Sequence, residues 1–424
     1  MKLAIAITAL VIAPTHASTT MVSVSDLSEH ERAVLGADLA TWKNEFGAEA
    51  QAHGVFPESI NRLSSEDALN EQLQRLLNTK LAIKAAQDAN PLAQFDHHHR
   101  FALLSEAEFK AYVKGSFSQG ARHLRQLEHV TFPDTSQAAS SVDWVANSKC
   151  VSPVRNQGQC GSCWAFSAAG VAESANCLVT GQLLDLSVQQ VVSCSTNGGS
   201  EGCNGGWPWY AIDYTANGLC LAKDWPYSAT TGSCNVQCTK QKLAIGTSVR
   251  VSGEDALATA ITNQPVSVTV EAGNAAWQNY RGGVVTQCPG AQSDHAVIAV
   301  GYDSQSYKIR NSWGASWGEA GYIRLQRGVG GVGTCNVVDG VSFPQISLNP
   351  TTPTPTSGNP TPTPKTPSPV TPSPITPRPS TPTPSPNNQC GNNHNACVWP
   401  LTGQVVPYNQ AQCASFGGVF VWCP

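Results

Sequence analysis

A cysteine whose thiol could act as a nucleophile is the first chemically suggestive feature of this sequence. Cys163 ends the segment QGQCGSC (157–163) and begins a proline-free stretch that runs to Cys177, and Gly181 provides a stop signal, so a helix is predicted to start at Cys163. At a helix N-terminus, the dipole and the unpaired backbone N–H groups stabilise an anion. Because the thiolate is the reactive form of cysteine, this position predicts nucleophilic catalysis by Cys163.

A histidine that could exchange a proton with this thiol is found by elimination. The chain has ten histidines, but between residues 138 and 344 there is only His295. It opens the apolar run 295–302, which predicts a buried strand. Asn311 follows in a second predicted strand and turn, and it could hold one imidazole nitrogen while the other faces the thiol.

The pair Cys160 and Cys163, two residues apart, has two other interpretations. Such a pair is often half of a zinc site or a redox couple. No second pair of this kind completes a zinc site, and redox chemistry would need both thiols free. The sequence therefore predicts neither a metal ion nor a cofactor.

Cysteine usage indicates an oxidising compartment. Residues 1–17 resemble a signal peptide, with Lys2, an apolar stretch too short to span a bilayer, and a small-residue cleavage site. All 15 cysteines come later, eleven of them in 150–335 and four in 390–423. After a signal peptide this density predicts disulfides. We expect a secreted protein, with a lysosome or vacuole as the alternative location.

Length, composition and charge narrow the class of protein. At 424 residues the chain has room for two or three domains, and 41% apolar residues can build a real core. A net charge of -4 argues against nucleic acid or an anionic membrane as the main partner. We expect a monomer that acts on protein or peptide substrates.

Composition changes along the chain predict its domains. Residues 18–137 lack cysteine and favour helices, including one from Ser65 to about Asp88 with apolar residues three and four apart. Those apolar residues are Leu69, Leu73, Leu76, Leu77, Leu81 and Ile83. A glycine- and aromatic-rich region follows at 138–344, then a Pro/Thr/Ser-rich linker at 345–389 and a cysteine-rich module at 390–424.

Three sequence blocks resemble the active-site blocks of the papain and cathepsin L family, in the same order. They are QGQCGSCWAFS, DHAVIAVGY and NSWGASWGEAGYIRL, and they place His295 and Asn311 132 and 148 residues after Cys163. The segments CNGGWPW and QPVSV between the blocks also match. The resemblance implies an α+β papain-like fold with a helical left lobe, a β-barrel-like right lobe and a cleft between them. It also implies a secreted cysteine endopeptidase made as a zymogen.

The resemblance also assigns roles to individual residues. It makes Cys163 the nucleophile and His295 its ion-pair partner, with the cysteine pKa strongly lowered. Asn311 would orient His295, and Trp313 would shield that hydrogen bond from water. The side chain of Gln157 and the backbone N–H of Cys163 would form the oxyanion hole.

A substrate pocket is implied by further family positions. The residues that would receive the side chain two positions before the cut are Trp207, Pro208, Trp209, Thr269, Ala296 and Gly340. We expect an apolar pocket with a small floor, suited to Leu, Val or Phe, and no acidic residue to select Arg. Gly205 and Gly206 would let the substrate backbone approach closely. The catalytic region has no histidine-rich insertion that would block the cleft, so endopeptidase activity is favoured.

Disulfide pairing is implied only in part. The family likeness implies Cys160–Cys203, Cys194–Cys234 and Cys288–Cys335. The remaining four cysteines, Cys150, Cys177, Cys220 and Cys238, permit three pairings. Sequence closeness favours Cys150–Cys177 with Cys220–Cys238.

Residues 40–112 resemble the family's inhibitory propeptide, although Leu103 stands where the family usually has Asp. The segment could instead be a helical folding aid. Three adjacent histidines, 97–99, could sense acid, but a triplet in a loop is more often simply solvated. Cleavage to the mature form is expected somewhere between Thr131 and Ser141.

The C-terminal module has 35 residues, too few for a stable apolar core. Its four cysteines, Cys390, Cys397, Cys413 and Cys423, should form two bridges in a pairing that the sequence leaves open. Five aromatic residues exceed what so small a core can hide, which suggests a polysaccharide-binding face. A protein-binding module or a solubility appendage are the alternatives. A different class of function also stays open, a surface-binding or adhesion protein that acts through this module with incidental proteolysis.

Overall fold

A computed structural model describes residues 22–114, 138–346 and three short strands near the C-terminus. The predicted signal peptide, most of the predicted cleavage segment and all but the first two residues of the predicted linker lie outside these residues. The chain divides into two compact units, 1–351 and 352–424.

The N-terminal segment contributes three helices and one strand. They are α1 (Glu29–Ala52), α2 (Ser65–Ala89), β1 (Ala93–Phe95) and α3 (Glu106–Lys114). Ser28 and Ser64 cap α1 and α2 by accepting backbone N–H groups of the first turn. The predicted helix from Ser65 is confirmed, but its apolar face is narrower than predicted, because Leu69 and Leu81 are 44% and 43% exposed.

The left lobe is built around one buried helix. Its helices are α4 (Trp144–Asn147), α5 (Cys163–Thr180), α6 (Val188–Cys194) and α7 (Pro208–Thr215). The predicted helix at Cys163 is confirmed, and Gly181 ends it in a left-handed conformation with φ 76°. Every residue of α5 from Cys163 to Cys177 is buried, which matches its run of small and apolar side chains. This rigid helix therefore fixes the position of Cys163.

The right lobe contains a sheet that has nine strands among the described residues, one of which is β1 of the N-terminal segment. Its remaining strands are β2 (Val142–Asp143), β3 (Ser248–Val251), β4 (Val266–Val270), β5 (Tyr280–Val285), β6 (His295–Tyr302), β7 (Ser306–Arg310), β8 (Tyr322–Gln326) and β9 (Gly340–Pro344). The strand order is β1-β5-β8-β7-β6-β4-β9-β3, with β2 paired to β6. All pairs are antiparallel except β5 with β8. The helices α8 (Glu254–Asn263) and α9 (Ala275–Gln278) complete the lobe.

The helices and the sheet meet along α5, which packs against β6 and β4. Both predicted strands of the His295 and Asn311 blocks are present as β6 and β7. β6 is buried along its whole length, as its uninterrupted apolar sequence predicts. The α+β architecture is therefore confirmed.

Five disulfides join the cysteines of the peptidase region. Three are the pairs that the resemblance implied, Cys160–Cys203, Cys194–Cys234 and Cys288–Cys335. The other two, Cys150–Cys177 and Cys220–Cys238, follow the pairing that sequence closeness favours. Cys163 takes part in none of them.

The second unit contains β10 (Ala396–Trp399), β11 (Gln404–Val406) and β12 (Val421–Cys423), in the antiparallel order β11-β10-β12. Cys397 lies opposite Trp422, and Cys423 lies opposite Ala396. The two predicted bridges of this module fall outside what the structure describes.

Candidate active site

Cys163 lies at the first turn of α5, with Ser162 as the capping residue. Its side chain is fully buried. The backbone N–H of Ala296 donates to its Sγ at 3.1 Å, and Ala296 directly follows His295 in β6. The left-lobe helix and the right-lobe strand thus bring the thiol and the histidine together, although 132 residues separate them.

The imidazole of His295 is oriented by Asn311. Its Nε2 lies 2.8 Å from Oδ1 of Asn311, which also accepts the backbone N–H of Ser312 at 2.7 Å. Because that oxygen can only accept, Nε2 carries a proton. The other ring nitrogen, Nδ1, is buried and makes no hydrogen bond to any residue that the structure describes. It is therefore the nitrogen left for the thiol.

Aromatic rings enclose the histidine. Trp313 stacks on His295 with ring centres 4.8 Å apart and planes 26° apart. Trp277 meets the same imidazole edge-on at 6.2 Å, and Trp317 packs against both tryptophans. All three tryptophans are at most 2% exposed, so the His295–Asn311 hydrogen bond lies in a dry environment.

Burial also controls the protonation of this site. It lowers the pKa of His295 to about 4, although the hydrogen bond to Asn311 acts in the opposite direction. In this covered state the imidazole is neutral above that pH. The neighbouring Asp294 is half-buried, and this desolvation raises its pKa to about 6 even though the backbone N–H groups of Ala272 and Gly273 donate to it.

Gln157 is held between the two lobes. Its Nε2 donates to the carbonyl of Cys160 at 3.0 Å, and its Oε1 accepts the hydroxyl of Ser312 at 2.6 Å. The backbone N–H of Gln157 donates to the Ser312 carbonyl at 2.8 Å. An amide nitrogen has two hydrogens, so a second donor remains on Nε2. Gln157 and the N-terminus of α5 lie on one continuous loop.

Three of the predicted pocket residues form one row across the sheet. Thr269 in β4 is the register partner of both Ala296 in β6 and Gly340 in β9. Directly opposite residues share a face. A Cβ added at Gly340 would lie 2.3 Å from Oγ1 of Thr269, so the hydroxyl occupies the space that a side chain at 340 would need.

The other predicted pocket residues lie at the start of α7, which packs against β3 and β9. Trp207 and Trp209 stack with ring centres 4.7 Å apart, and Pro208 is the first residue of the helix. Gly205 has φ 114°, and a Cβ at Gly206 would lie 2.6 Å from the ring of Trp164. Both positions therefore require glycine.

The N-terminal segment covers this site. Phe101, Phe109 and Tyr112 surround Trp313 with ring centres 5.6 to 6.1 Å away. Nε2 of Gln278 donates to the carbonyls of Phe101 and Leu104 at 3.1 and 3.0 Å. β1 extends the sheet by pairing with β5. The N-terminal segment thus contacts the peptidase region through a strand, a loop and a helix.

The histidine triplet is not a solvated loop. His99 is buried, and its Nε2 lies 3.1 Å from Oδ1 of Asn279 in the right lobe. Its carbonyl accepts the indole N–H of Trp42 at 2.8 Å. His97 is half-buried, and only His98 is exposed. The interpretation of the triplet as simply solvated is therefore wrong for His97 and His99.

Several residues of the site escape sequence reasoning. Ser312, Tyr227 and Arg100 each hydrogen-bond to a part of the site that lies more than 65 residues away in sequence. Ser312 could have been suspected from its place beside Asn311. For Tyr227 and Arg100 no spacing or composition signal exists, because their contacts arise only from folding.

The described residues show neither a membrane-spanning helix nor a cluster of metal ligands. None of their helices combines the length and apolar character that crossing a bilayer requires. Nor do three or more His, Cys, Asp or Glu side chains gather there as metal ligands would.

Known proteins are similar in sequence to the part of this chain that contains the site. The sequence profile described as "Papain family cysteine protease" matches residues 138–345. Oryzain beta chain of Oryza sativa subsp. japonica is 40% identical over 267 residues, which cover 60% of this chain and 57% of that protein. Cysteine proteinase COT44 of Brassica napus is 37% identical over 270 residues, which cover 60% of this chain and 82% of that protein. The chain thus spans little more than half the length of the first of these relatives.

A solved structure extends the likeness to the N-terminal segment. The Amb a 11 cysteine protease, a ragweed pollen allergen solved in its proform, is 26% identical with a TM-score of 0.64. The match covers 78% of this chain and 92% of that one. The cysteine proteinase COT44 is thus matched over 82% of its length, and the proform of the pollen protease shares the fold of this chain. This chain belongs to the papain family of cysteine proteases.

Proposed function

We propose that this chain is a cysteine endopeptidase in which Cys163 is the nucleophile, His295 its proton-transfer partner, Asn311 the residue that orients His295, and Gln157 an oxyanion donor. One observation carries the proposal. Asn311 fixes Nε2 of His295 at 2.8 Å and leaves Nδ1 for the thiol, whose Sγ lies 3.1 Å from the amide nitrogen of the next residue, Ala296.

The proposed reaction proceeds through an acyl-enzyme. The thiol of Cys163 first gives its proton to Nδ1 of His295. The resulting thiolate attacks the peptide carbonyl carbon, and the carbonyl oxygen becomes negatively charged. The free hydrogen on Nε2 of Gln157 and the backbone N–H of Cys163 donate to that oxygen. Nδ1 of His295 then gives its proton to the departing amine, the C–N bond breaks, and a thioester remains. His295 next removes a proton from water, which attacks the thioester carbon. The C–S bond then breaks, which releases the carboxylic acid and restores the Cys163 thiolate beside the protonated His295.

We also propose that the N-terminal segment is an inhibitory propeptide. In the precursor the catalytic side chains Cys163 and His295 are fully buried, which excludes substrate. Burial also lowers the pKa of His295 to about 4, which favours the neutral imidazole in the precursor. In this proposal the chain comprises a signal peptide (1–17), the propeptide (18–137), the peptidase domain (138–344), a linker (345–389) and a C-terminal module (390–424).

The proposed specificity rests on the row of Ala296, Thr269 and Gly340 and on the stacked Trp207 and Trp209. These residues favour an apolar side chain two positions before the cut. No carboxylate lies in this set, so an Arg side chain would find no partner. The Thr269 hydroxyl narrows the floor, and this favours branched or medium-sized side chains.

Active-site labelling tests the catalytic proposal. An epoxysuccinyl peptide, which alkylates activated thiols, should label the matured wild-type protein at Cys163 and abolish hydrolysis of a fluorogenic peptide. The Cys163→Ala variant should fold, keep its five disulfides, and show neither labelling nor hydrolysis. Hydrolysis by purified Cys163→Ala at the wild-type rate would overturn the proposal.

For the module at 390–424 we propose binding to a polysaccharide surface after secretion. The support is its size, its cysteines and its five aromatic residues. Pull-downs on insoluble cellulose, chitin and β-glucan should retain the full chain but not a version that ends at Pro350. Equal retention of both on every polymer would reject this binding, and retention by a protein surface alone would favour the adhesion alternative.

A further inference from the structure

Tyr227 lies behind the catalytic loop, at the end of the segment DWPY. It is anchored on both sides to the start of α6. The carbonyl of Trp225 accepts the hydroxyl of Ser187 at 2.7 Å, and the backbone N–H of Ser228 donates to the side chain of Gln189 at 2.8 Å. The Phe166 ring of α5 meets the tyrosine ring edge-on at 4.8 Å. The position of Tyr227 is therefore fixed by its neighbours and does not depend on its hydroxyl.

The hydroxyl of Tyr227 joins the two ends of the loop that carries the oxyanion donors. It donates to the backbone carbonyl of Gln157 at 2.7 Å and lies 2.6 Å from Oγ of Ser162. A carbonyl can only accept, so the single phenolic proton goes to Gln157. The Ser162 hydroxyl then donates to the phenol oxygen. The Ser162 proton is thus used for the phenol oxygen at 2.6 Å, which is nearer than the Cys160 carbonyl at 3.3 Å.

The two bonded residues flank the proposed oxyanion hole. Gln157 would supply the side-chain donor, and Ser162 directly precedes the backbone N–H of Cys163. On the opposite side, Ser312 holds the side chain and backbone N–H of Gln157. Burial raises the pKa of Tyr227 well above its usual value, although the bond to Ser162 opposes this. The phenol therefore remains a donor throughout the range in which the enzyme would work.

We propose that Tyr227 is a positioning residue that sets the distance between the two oxyanion donors by bridging Gln157 and Ser162 from behind. This inference rests on the proposed peptidase function. The tyrosine would not touch substrate. Its effect would be on the transition state, in which charge develops on the carbonyl oxygen, and not on initial substrate binding.

The test compares Tyr227→Phe with wild type, with Gln157→Ala and with the double variant, all as matured enzyme. Tyr227→Phe should lower kcat about fivefold at unchanged KM, the usual effect of one lost hydrogen bond. It should weaken inhibition by a peptide aldehyde, whose adduct carries an oxygen in the hole, by a similar factor. Alkylation by iodoacetamide creates no oxyanion, so its pH profile should stay unchanged. In the Gln157→Ala background the same substitution should have little further effect.

Matched variants separate this role from general stability. Tyr214→Phe also removes a hydroxyl that hydrogen-bonds in the left lobe, in its case to Gln190 at 3.0 Å, and it should leave kcat unchanged. Ser162→Ala removes the second bond, together with the longer contact of the same hydroxyl with the Cys160 carbonyl at 3.3 Å. It should reproduce part of the loss, which keeps the test usable if Tyr227→Phe folds poorly. Equal losses with and without Gln157, or an unchanged kcat, would overturn the inference. A wild-type protein that hydrolyses no peptide would instead contradict the proposed function itself.

Discussion

The guanidinium of Arg100 donates to the backbone carbonyl of Trp313, the residue whose ring stacks on His295. Arg100 is buried and also forms an ion pair with Glu49 at 2.9 Å. The same Glu49 oxygen accepts the hydroxyl of Ser316. A charged group of the N-terminal segment therefore fastens that segment to the active-site wall.

Replacing Arg100 by Met should loosen this attachment. Removing one partner of a buried, hydrogen-bonded charge pair typically weakens an interface by a factor well above tenfold. We expect the Arg100→Met precursor to hydrolyse a fluorogenic peptide at neutral pH at least about ten times faster than the wild-type precursor. Arg62→Met is the control, because Arg62 is an exposed arginine of the same segment. Equal latency of the two variants would show that Arg100 does not contribute to inhibition.

Acid should release the N-terminal segment through His99. Burial is the main cause that lowers its pKa to about 3 from an ordinary 6.5, and nearby His97 and Arg100 add to the effect, while bonds to Asn279 and to the backbone of Asp96 oppose it. The docked segment thus binds protons more weakly than the free one. Docking is fully stable above pH about 6.5 and loses stability as the pH falls toward 3.

His97 adds to this response in the same direction. Burial, and then the charges of Lys80 and His98, lower its pKa to about 4, whereas Asp38 acts against them. We expect His99→Gln to move the midpoint of precursor maturation to lower pH, because Gln cannot gain a proton. His98→Gln serves as the control, since His98 is exposed. Identical midpoints for His99→Gln and wild type would exclude this mechanism.

The loss of kcat/KM on substitution of each active-site residue should depend on the role of that residue. His295→Ala should lower kcat/KM by about 10²-fold to 10⁴-fold, the usual contribution of a general acid–base group. Asn311→Ala should lose less, because Asn311 orients the imidazole and transfers no proton. Gln157→Ala should lose roughly 10²-fold or more. Steady-state kinetics on matured protein measures all three, and a larger loss for Asn311→Ala than for His295→Ala would contradict the assigned roles.

The size of the substrate side chain that the pocket accepts should depend on the space between Gly340 and Thr269. Gly340→Ala places a Cβ within 2.3 Å of the Thr269 hydroxyl, so it should reduce kcat/KM for peptides with Phe two positions before the cut more than for those with Val. Thr269→Ala removes the atom in conflict and should restore the Phe substrate in the double variant. Competition between the two peptides measures the ratio. A Phe-to-Val ratio unchanged in Gly340→Ala would place the pocket elsewhere.

Local signals explain why much of this fold was predictable from sequence. The helix at Cys163 and its end at Gly181 depend on a proline-free run and a glycine, and the buried strand from His295 depends on an unbroken apolar run. Such features depend on neighbours in sequence. The resemblance of the active-site blocks then placed Asn311 and Gln157, because those residues lie within the blocks themselves.

What could not be predicted depends on pairs far apart in sequence. The burial of His99 needs Asn279, 180 positions away, and the attachment of Arg100 needs Trp313, 213 positions away. A histidine triplet beside an arginine has the composition of a solvated loop, and only tertiary packing overrides this. The spacing of Leu69 and Leu81 predicts that both are buried, but both are exposed. Apolar spacing alone does not determine how much of the helix surface is covered by neighbouring elements.

β1 joins β5 through its paired backbone and through the contact between the rings of Phe95 and Tyr280, and neither depends on residues 131–141. Cutting the chain there would therefore not by itself uncover the cleft. No cysteine precedes Cys150, so no disulfide tethers the severed piece either. Before the cut the piece acts on its own chain, at an effective concentration on the order of millimolar for a short connection. Afterwards it is a separate ligand whose occupancy follows mass action. Activation therefore also depends on dilution. The cleaved protein would stay inhibited at high protein concentration and become active at low concentration.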